Sequence, residues 1–260
     1  MNKNKVFAKL YSYCKAVFVW ILLDSKPENR TTKKTIKDLL IALVIATLIR
    51  SFFYEPFYIP SGSMKPGLLE GDFILVSKYD FGYTKYSFPF AMIPFDGRVG
   101  FDAKKLERGD VLVFRVPSDP TINYIKRLIG LPDDKVQVKD GVLYINDAPV
   151  SKDYAGEFIE TEGQSLVKGF EENIEDKKFI VLDSATTDAD NTPIFYVPKQ
   201  HYFFMGDNRD NSLDSRFIQT GFIPEENLIG KARVIFFSKW GTIFKFWNSI
   251  RFSRFFKVIK

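Results

Sequence analysis

Phe57-Tyr58-Ile59-Pro60-Ser61-Gly62-Ser63-Met64-Lys65-Pro66 separates an apolar run from a long region whose periodicity is that of strands. Pro60 and Pro66 bracket two serines that flank Gly62. Proline fixes φ and removes a donor, while glycine lets backbone approach closely. Two hydroxyls on so tight a turn can act one as nucleophile and one as donor to an oxyanion. An ordinary Ser-Gly-Ser loop has the same composition, so the stretch takes its meaning from what surrounds it. Downstream come short β-rich runs, Asp72–Val76, Val111–Phe114 and Tyr124–Ile129, bounded by Gly, Pro and Asp. Val136–Val138 and Val142–Ile145 flank Lys139-Asp140-Gly141, a hairpin signal. With no long helical period between residues 57 and 238, the fold class is mainly β. Residues 80–106 read as an irregular excursion. Residues 151–192 read as an acidic, less regular lobe inserted into the core, with strands at Phe179–Leu182 and Ile194–Val197.

Upstream, Leu39–Ile49 is apolar apart from Thr47, and Arg50, Phe52, Phe53 and Tyr54 follow. Leu39 to Tyr54 makes about 24 Å of helix at 1.5 Å per residue, with the aromatic row placed as an interfacial belt. No small-residue cleavage site follows, so the run reads as a retained membrane anchor rather than a signal peptide. A buried core helix is the alternative. The net charge of +5 conceals an asymmetry. Residues 1–37 hold nine Lys/Arg against two acids, and residues 239–260 hold six and no acid. Residues 51–238 hold 21 basic and 29 acidic residues. A nucleic-acid-binding domain carries its positive charge on the folded body, so this pattern excludes nucleic acid and suits a lipid surface. The basic flank places the N-terminus in the cytoplasm and the folded region on the outer side of a single-pass protein.

The resulting division is a basic segment 1–38, an anchor 39–54, a core in two parts (55–150 and 193–238) around the acidic lobe 151–192, and a tail 239–260. Residues 6–23, interrupted by Lys9 and Lys15, suit an interfacial helix. The tail interleaves Phe244, Phe246, Trp247, Ile250, Phe252, Phe255 and Phe256 with Lys245, Arg251, Arg254 and Lys257, again the composition of a helix lying in a membrane interface.

Cys14 and His201 are the single cysteine and single histidine, which excludes a disulfide framework and Cys- or His-rich metal sites. A serine nucleophile still needs a base, and a lysine made neutral by burial can serve. Lys126 shares a strand face with Tyr124 and Leu128 and so points into an apolar layer, with Arg127 on the opposite face. A lysine snorkelling from an edge strand is the alternative. Gly206-Asp207-Asn208-Arg209-Asp210-Asn211-Ser212-Leu213-Asp214-Ser215-Arg216 is a polar loop after the apolar Tyr202–Met205. Its spacing is not that of an EF-hand, and Arg209 and Arg216 oppose a cation. Asp–Arg pairs shaping the site, with Ser212 holding Lys126, are the preferred reading.

Ser61-Gly62-Ser63-Met64-x-Pro, Arg108-Gly109-Asp110-Val111, Tyr124-Ile125-Lys126-Arg127-Leu128-Ile129-Gly130-Leu131-Pro132 and the 206–216 loop occur in one order. Together they resemble bacterial type I signal peptidase over roughly residues 39–238. The resemblance implies a signal-peptidase-type all-β core with a smaller inserted lobe, preceded by an N-terminal transmembrane helix in the cytoplasmic membrane. It also implies cleavage of secretory preproteins after Ala-x-Ala-like sites, with no cofactor or metal. Ser63 would be the nucleophile and Lys126 the general base. The Ser61 hydroxyl and the Ser63 N–H would form the oxyanion hole, Ser212 would orient the lysine, and Asp207, Asp214 and Arg216 would support the site. Phe57, Ile59, Leu68, Ile74, Val113 and Ile125 match positions lining small apolar substrate pockets. The chain departs from the family at Gly67, often Thr there, at Asn123, Asp in some members, and in the 80–106 and 151–192 stretches. Two other readings are a Ser-Lys autoprotease of the SOS-repressor type and an inactive membrane-anchored binding protein. The apolar run and the absence of a DNA-binding helix pair oppose the first, and the full catalytic set opposes the second.

Overall fold

The structure, a computed structural model, describes residues 32–88, 97–100, 106–159, 166–240 and 249–260. The expected interfacial helix 6–23, parts of the 80–106 excursion and residues 241–248 of the tail lie outside the described residues. Residues 1–48 and 49–260 form separate compact units.

Helix α1 spans Thr32–Phe52. It begins earlier than the expected anchor, because Thr32–Asp38 has no helix breaker, and it stops before Tyr54. Strand β1 starts there, and Arg50 Nε and Nη2 donate to Glu55 Oε1 at 2.9 and 2.7 Å across the junction. Leu39, Leu40, Leu43, Val44 and Leu48 are all exposed, so the helix is apolar around its circumference in this stretch. Among the described residues no helix is long and apolar enough to cross a membrane. The reason lies in the sequence: the uninterrupted run Leu39–Ile49 gives about 16 Å of rise, and Lys33, Lys34, Lys37 and Asp38 precede it.

The second unit is mainly β, as expected. Its strands are β1 (Tyr54–Tyr58), β2 (Asp72–Ser77), β3 (Val111–Val116), β4 (Asp119–Gly130), β5 (Lys135–Lys139), β6 (Val142–Ile145) and β7 (Ala148–Pro149). They continue with β8 (Ser151–Ile159), β9 (Leu166–Ile174), β10 (Lys177–Leu182), β11 (Phe195–Tyr196), β12 (His201–Met205), β13 (Ile223–Pro224), β14 (Leu228–Ser238) and β15 (Lys257–Val258). The principal sheet runs β1-β2-β14-β3-β4-β12-β13, with β15 also on β14, and two smaller sheets run β10-β9-β8 and β11-β5-β6-β7.

Strand β4 changes character along its length, exposed over Asp119–Asn123 and buried over Lys126–Gly130. Its buried end is covered on both faces, as an interior strand requires. Leu128 packs with Leu112, Phe114 and Phe204, while Ile129 joins Val136, Val181 and Phe203 where the small sheets meet the large one. Each such fully buried aliphatic or aromatic side chain contributes about 1.5–3 kcal/mol. The third cluster, Ile59, Met64, Leu68, Ile74, Val76, Val111 and Val113, lies under the serine turn.

The acidic region is more regular than its composition suggests. It contains the three strands β8 (Ser151–Ile159), β9 (Leu166–Ile174) and β10 (Lys177–Leu182), and β9 buries Val167, Glu172 and Ile174 while Leu166 and Lys168 are exposed. The acids fit because they find partners: Glu171 accepts from Lys178 on β10, and Glu172 is paired in the interior. The tail also departs from expectation. Residues 257–258 are a strand on β14, and Arg254 is buried against Asp72.

Candidate active site

Strands β1 and β2 pair from Tyr54↔Ser77 to Tyr58↔Phe73, and the chain between them makes the serine turn. Ile59 N donates to Asp72 O, and Gly71 N to Ile59 O, which closes the loop at its base. Met64 and Leu68 plug it from below, and Lys65–Pro66 is a cis peptide. The loop therefore rests on a packed floor while its serines stand at the rim: Ser61 is exposed and Ser63 is 8% exposed.

Lys126 enters from β4, opposite Leu112 of β3. Its Nζ lies 2.5 Å from Ser63 Oγ, hydrogen bonded to it, and 5.4 Å from the centre of the Tyr124 ring. The amine is buried, as strand alternation suggests, but beside a hydroxyl and the charged groups of Asp214, Asp207 and Arg216 rather than in a purely apolar layer. Burial pushes the Lys126 pKa down to about 8, against the Asp214 and Asp207 carboxylates, which favour the charged form; Arg216 adds to the fall. Desolvation disfavours the charged form of a lysine, and here it outweighs two acids.

The 206–216 loop holds this pair from the far side. Asn208 N donates to Ser63 O at 3.0 Å, and Asn208 Nδ2 donates to Gly62 O at 3.2 Å. Asp214 is fully buried and accepts from Gly206 N, Arg216 Nε and Arg216 Nη2, each at 2.9 Å. Burial opposes ionisation of Asp214, but the charge and hydrogen bonds of Arg216 and the Gly206 N–H prevail and hold its carboxyl below the usual value. Arg127, on the opposite face from Lys126, grips Asp207 bidentately at 2.7 and 2.6 Å and stacks 3.8 Å over the Phe179 ring. The loop reaches this close because residue 206 is glycine: a Cβ there would stand 2.2 Å from Ser212 Oγ and 2.6 Å from Ser63 O.

Most of the expected residues converge. Ser63, Lys126, Asp207, Asp214 and Arg216 form one buried polar centre. Ile59, Leu68, Ile74 and Val113 are buried in one cluster, with Phe57 and Ile125 packed against it and partly exposed. Ser212 is the exception. It is buried, but its Oγ forms no full hydrogen bond with Lys126 or any other group, although it lies close enough to Asp214 to help keep that carboxyl ionised. Lys126 Nζ is directed at Ser63 instead. His201, on β12, is bonded through Nδ1 to Lys199 O.

Two residues that pack around this centre carry no signal of their own in the sequence. Asn208 was seen only as part of a polar loop. Arg209 pairs not with a loop aspartate but with Glu172 of β9, at 2.7 and 2.5 Å. A partner 37 residues away leaves no local spacing to detect. Among the described residues, Asp183, Asp190 and Asp210 bring carboxylate oxygens within 4.8 Å of one another, the one grouping with a metal-like arrangement. Lys152 already bonds Asp183 there, so the chain supplies its own cation.

Residues 32–237 match the family described as signal peptidase, peptidase S26. The chain belongs to that family. It is 44% identical to the signal peptidase I of Rickettsia typhi over 225 residues, 83% of this chain and 84% of that one. It is 44% identical to the signal peptidase I of Rickettsia canadensis over 227 residues, with the same coverage. The solved signal peptidase I of Enterococcus faecalis V583 shares 30% identity, covering 48% of this chain and 95% of that one at a TM-score of 0.31, too low for the likeness to bear on the fold. As a member of the S26 family this chain is a serine peptidase, a hydrolase.

Proposed function

We propose that this S26 peptidase removes signal peptides from secretory preproteins with a Ser63–Lys126 dyad. The observation that carries the reading is the 2.5 Å contact between Ser63 Oγ and a buried Lys126 Nζ whose pKa falls to about 8. Neutral Lys126 takes the Ser63 proton as Oγ attacks the scissile carbonyl. The resulting ammonium returns that proton to the leaving amine as the C–N bond breaks, which releases the mature N-terminus, leaves an acyl-enzyme and makes Lys126 neutral again. Lys126 then takes a proton from water, which attacks the ester and frees Ser63. The Ser63 N–H and the exposed Ser61 hydroxyl donate to the oxyanion. Ser212, a buried hydroxyl with no bond closed, is available to Lys126 once Ser63 is acylated. Asp207, Asp214 and Arg216 fix the loop that backs the pair. No metal or organic cofactor takes part.

Cleavage after Ala-x-Ala-like sites is supported by the cluster that Phe57 and Ile125 cap, since Ile59, Leu68, Ile74 and Val113 fill the space behind them. A shallow apolar wall accepts a methyl and rejects larger groups. Helix α1, apolar around its circumference over Leu39–Leu48 and led by lysines, holds the chain at the bacterial cytoplasmic membrane by lipid contacts of that stretch rather than by a full span of its own. Enzyme and substrate then meet at one depth, which raises their effective concentration.

The test is processing of a detergent-solubilised preprotein by the full chain and by Ser63→Ala and Lys126→Ala, followed by gel shift and sequencing of the new N-terminus. Cleavage by the parent alone, after an Ala-x-Ala site, is expected. Processing by either variant at the parental rate would reject the dyad.

A further inference from the structure

The segment 250–260 bonds both the turn that carries Ser63 and the strand that carries Lys126. Arg254, nearly buried, forks onto Asp72, with Nε 3.0 Å from Oδ1 and Nη2 2.6 Å from Oδ2, and Nη2 also donates to Gly67 O at 2.9 Å. Gly67 lies four residues beyond Ser63 in the same turn. Asp72 closes that turn from its other end, accepting Leu69 N at 2.8 Å. Arg251 Nη2 donates to Glu70 O at 2.6 Å. Farther on, Phe256 N and Ile259 N donate to Ile235 O and Arg233 O of β14, and Ile259 packs on the cluster that contains Met64 and Leu68. The main-chain oxygen of Lys260 then accepts from Arg127 Nη1 at 2.9 Å. Arg127 adjoins Lys126 in β4.

One short stretch therefore bonds the serine turn at one end and the lysine strand at the other. We propose that segment 250–260 is a strap that sets the placement of Ser63 against Lys126, with Arg254 as its positioning residue. The proposal rests on the dyad reading above. Its physical basis is the sensitivity of proton transfer to placement: a displacement of about 1 Å remote from the chemistry can cost roughly 100-fold. Arg254 is suited to the task because its planar fork bridges a carboxylate and a carbonyl at once, which a lysine ammonium cannot do with the same geometry. Gly67 does not block this, for a Cβ there would make only ordinary contacts with Asp207 and Met64 at 3.4 Å.

The test compares the full chain with Arg254→Lys and Arg254→Ala on the same preprotein, reading kcat, KM, the pH profile of kcat and thermal unfolding. Arg254→Lys keeps a positive charge for Asp72, so it stays folded and carries the test if Arg254→Ala does not. The expected result is a fall in kcat of roughly 10- to 100-fold with KM within about twofold. Lys126 faces Ser63, Asp214, Asp207 and Arg216, and a loosened strap admits water to it, so the acid limb of the profile also moves to higher pH. Unchanged kcat in both variants would overturn the proposal. So would a loss of rate that tracks only the unfolded fraction, with the pH limb fixed. Ser63→Ala run alongside separates the two readings: residual activity there rejects the dyad, whereas an inactive Ser63→Ala beside fully active Arg254 variants rejects the strap alone.

Discussion

The acid limb of the pH–rate profile follows directly from the burial of one amine. As the proposed general base, Lys126 would act only when neutral, and its pKa falls from an ordinary 10.5 to about 8. Each unit corresponds to 1.36 kcal/mol, so burial disfavours the ammonium by about 3 kcal/mol net of the opposing carboxylates. At pH 7 about 10% of Lys126 is then neutral, roughly 300-fold more than for an exposed lysine. The sign is fixed: acid removes the active form, so kcat/KM falls about tenfold per pH unit well below 8 and levels off above it. Between pH 6 and pH 8 the rate should rise about 50-fold. The assay is kcat/KM on a fluorogenic peptide without ionisable groups near the cut, in buffers of constant ionic strength, with His201→Gln as control. Since His201 lies at the start of β12 and is bonded to Lys199 O in the turn just before it, that variant should leave the limb in place. A flat profile from pH 6 to 9, a midpoint near 10.5, or a limb that moves with His201→Gln would refute the assignment.

Two further outcomes test the packing. Gly206→Ala places a Cβ 2.6 Å from Ser63 O and 2.5 Å from Ser212 Cβ, neither of which a rotamer change relieves; overpacking of this kind costs about 1–3 kcal/mol, and kcat should fall more than the thermal midpoint explains. Arg209→Met alone strands a buried Glu172 and should lower stability by about 3–5 kcal/mol in urea unfolding, whereas Arg209→Met with Glu172→Leu should recover most of that loss; equal losses in the single and the double variant would show that the pair carries no coupling.

The proximity of Ser63 and Lys126 was legible only from the chain as a whole. The turn written by Pro60, Gly62 and Pro66 fits an ordinary loop equally well, and the alternation around Lys126 fits a lysine snorkelling from an edge strand. It was the four motifs occurring in one order that singled out the two residues, which the fold brings to 2.5 Å. What the sequence left obscure depends on distant partners. The acids of β9 look solvated until Arg209 and Lys178 are placed beside them. The tail was read as a lipid-facing helix because basic and aromatic residues in alternation look alike on a membrane and on a sheet edge, and only Asp72, some 180 residues away, distinguishes the two. The start of β1 at Tyr54 was hidden for a similar reason, since an aromatic row suits an interfacial belt as well as the first residues of a strand.

The pairing of Glu172 with Arg209 bears on how such enzymes can be recombined. The β8–β10 sheet looks like a detachable module, continuous in sequence from Ser151 to Leu182. Yet it sends one carboxylate under the 206–216 loop, and Leu182 N and O bond Asp207 O and Arg209 N there. A chimera that exchanged this sheet for another chain's would inherit a loop tuned to a missing counter-charge. Grafts should therefore be cut so that residues 172 and 209 travel together.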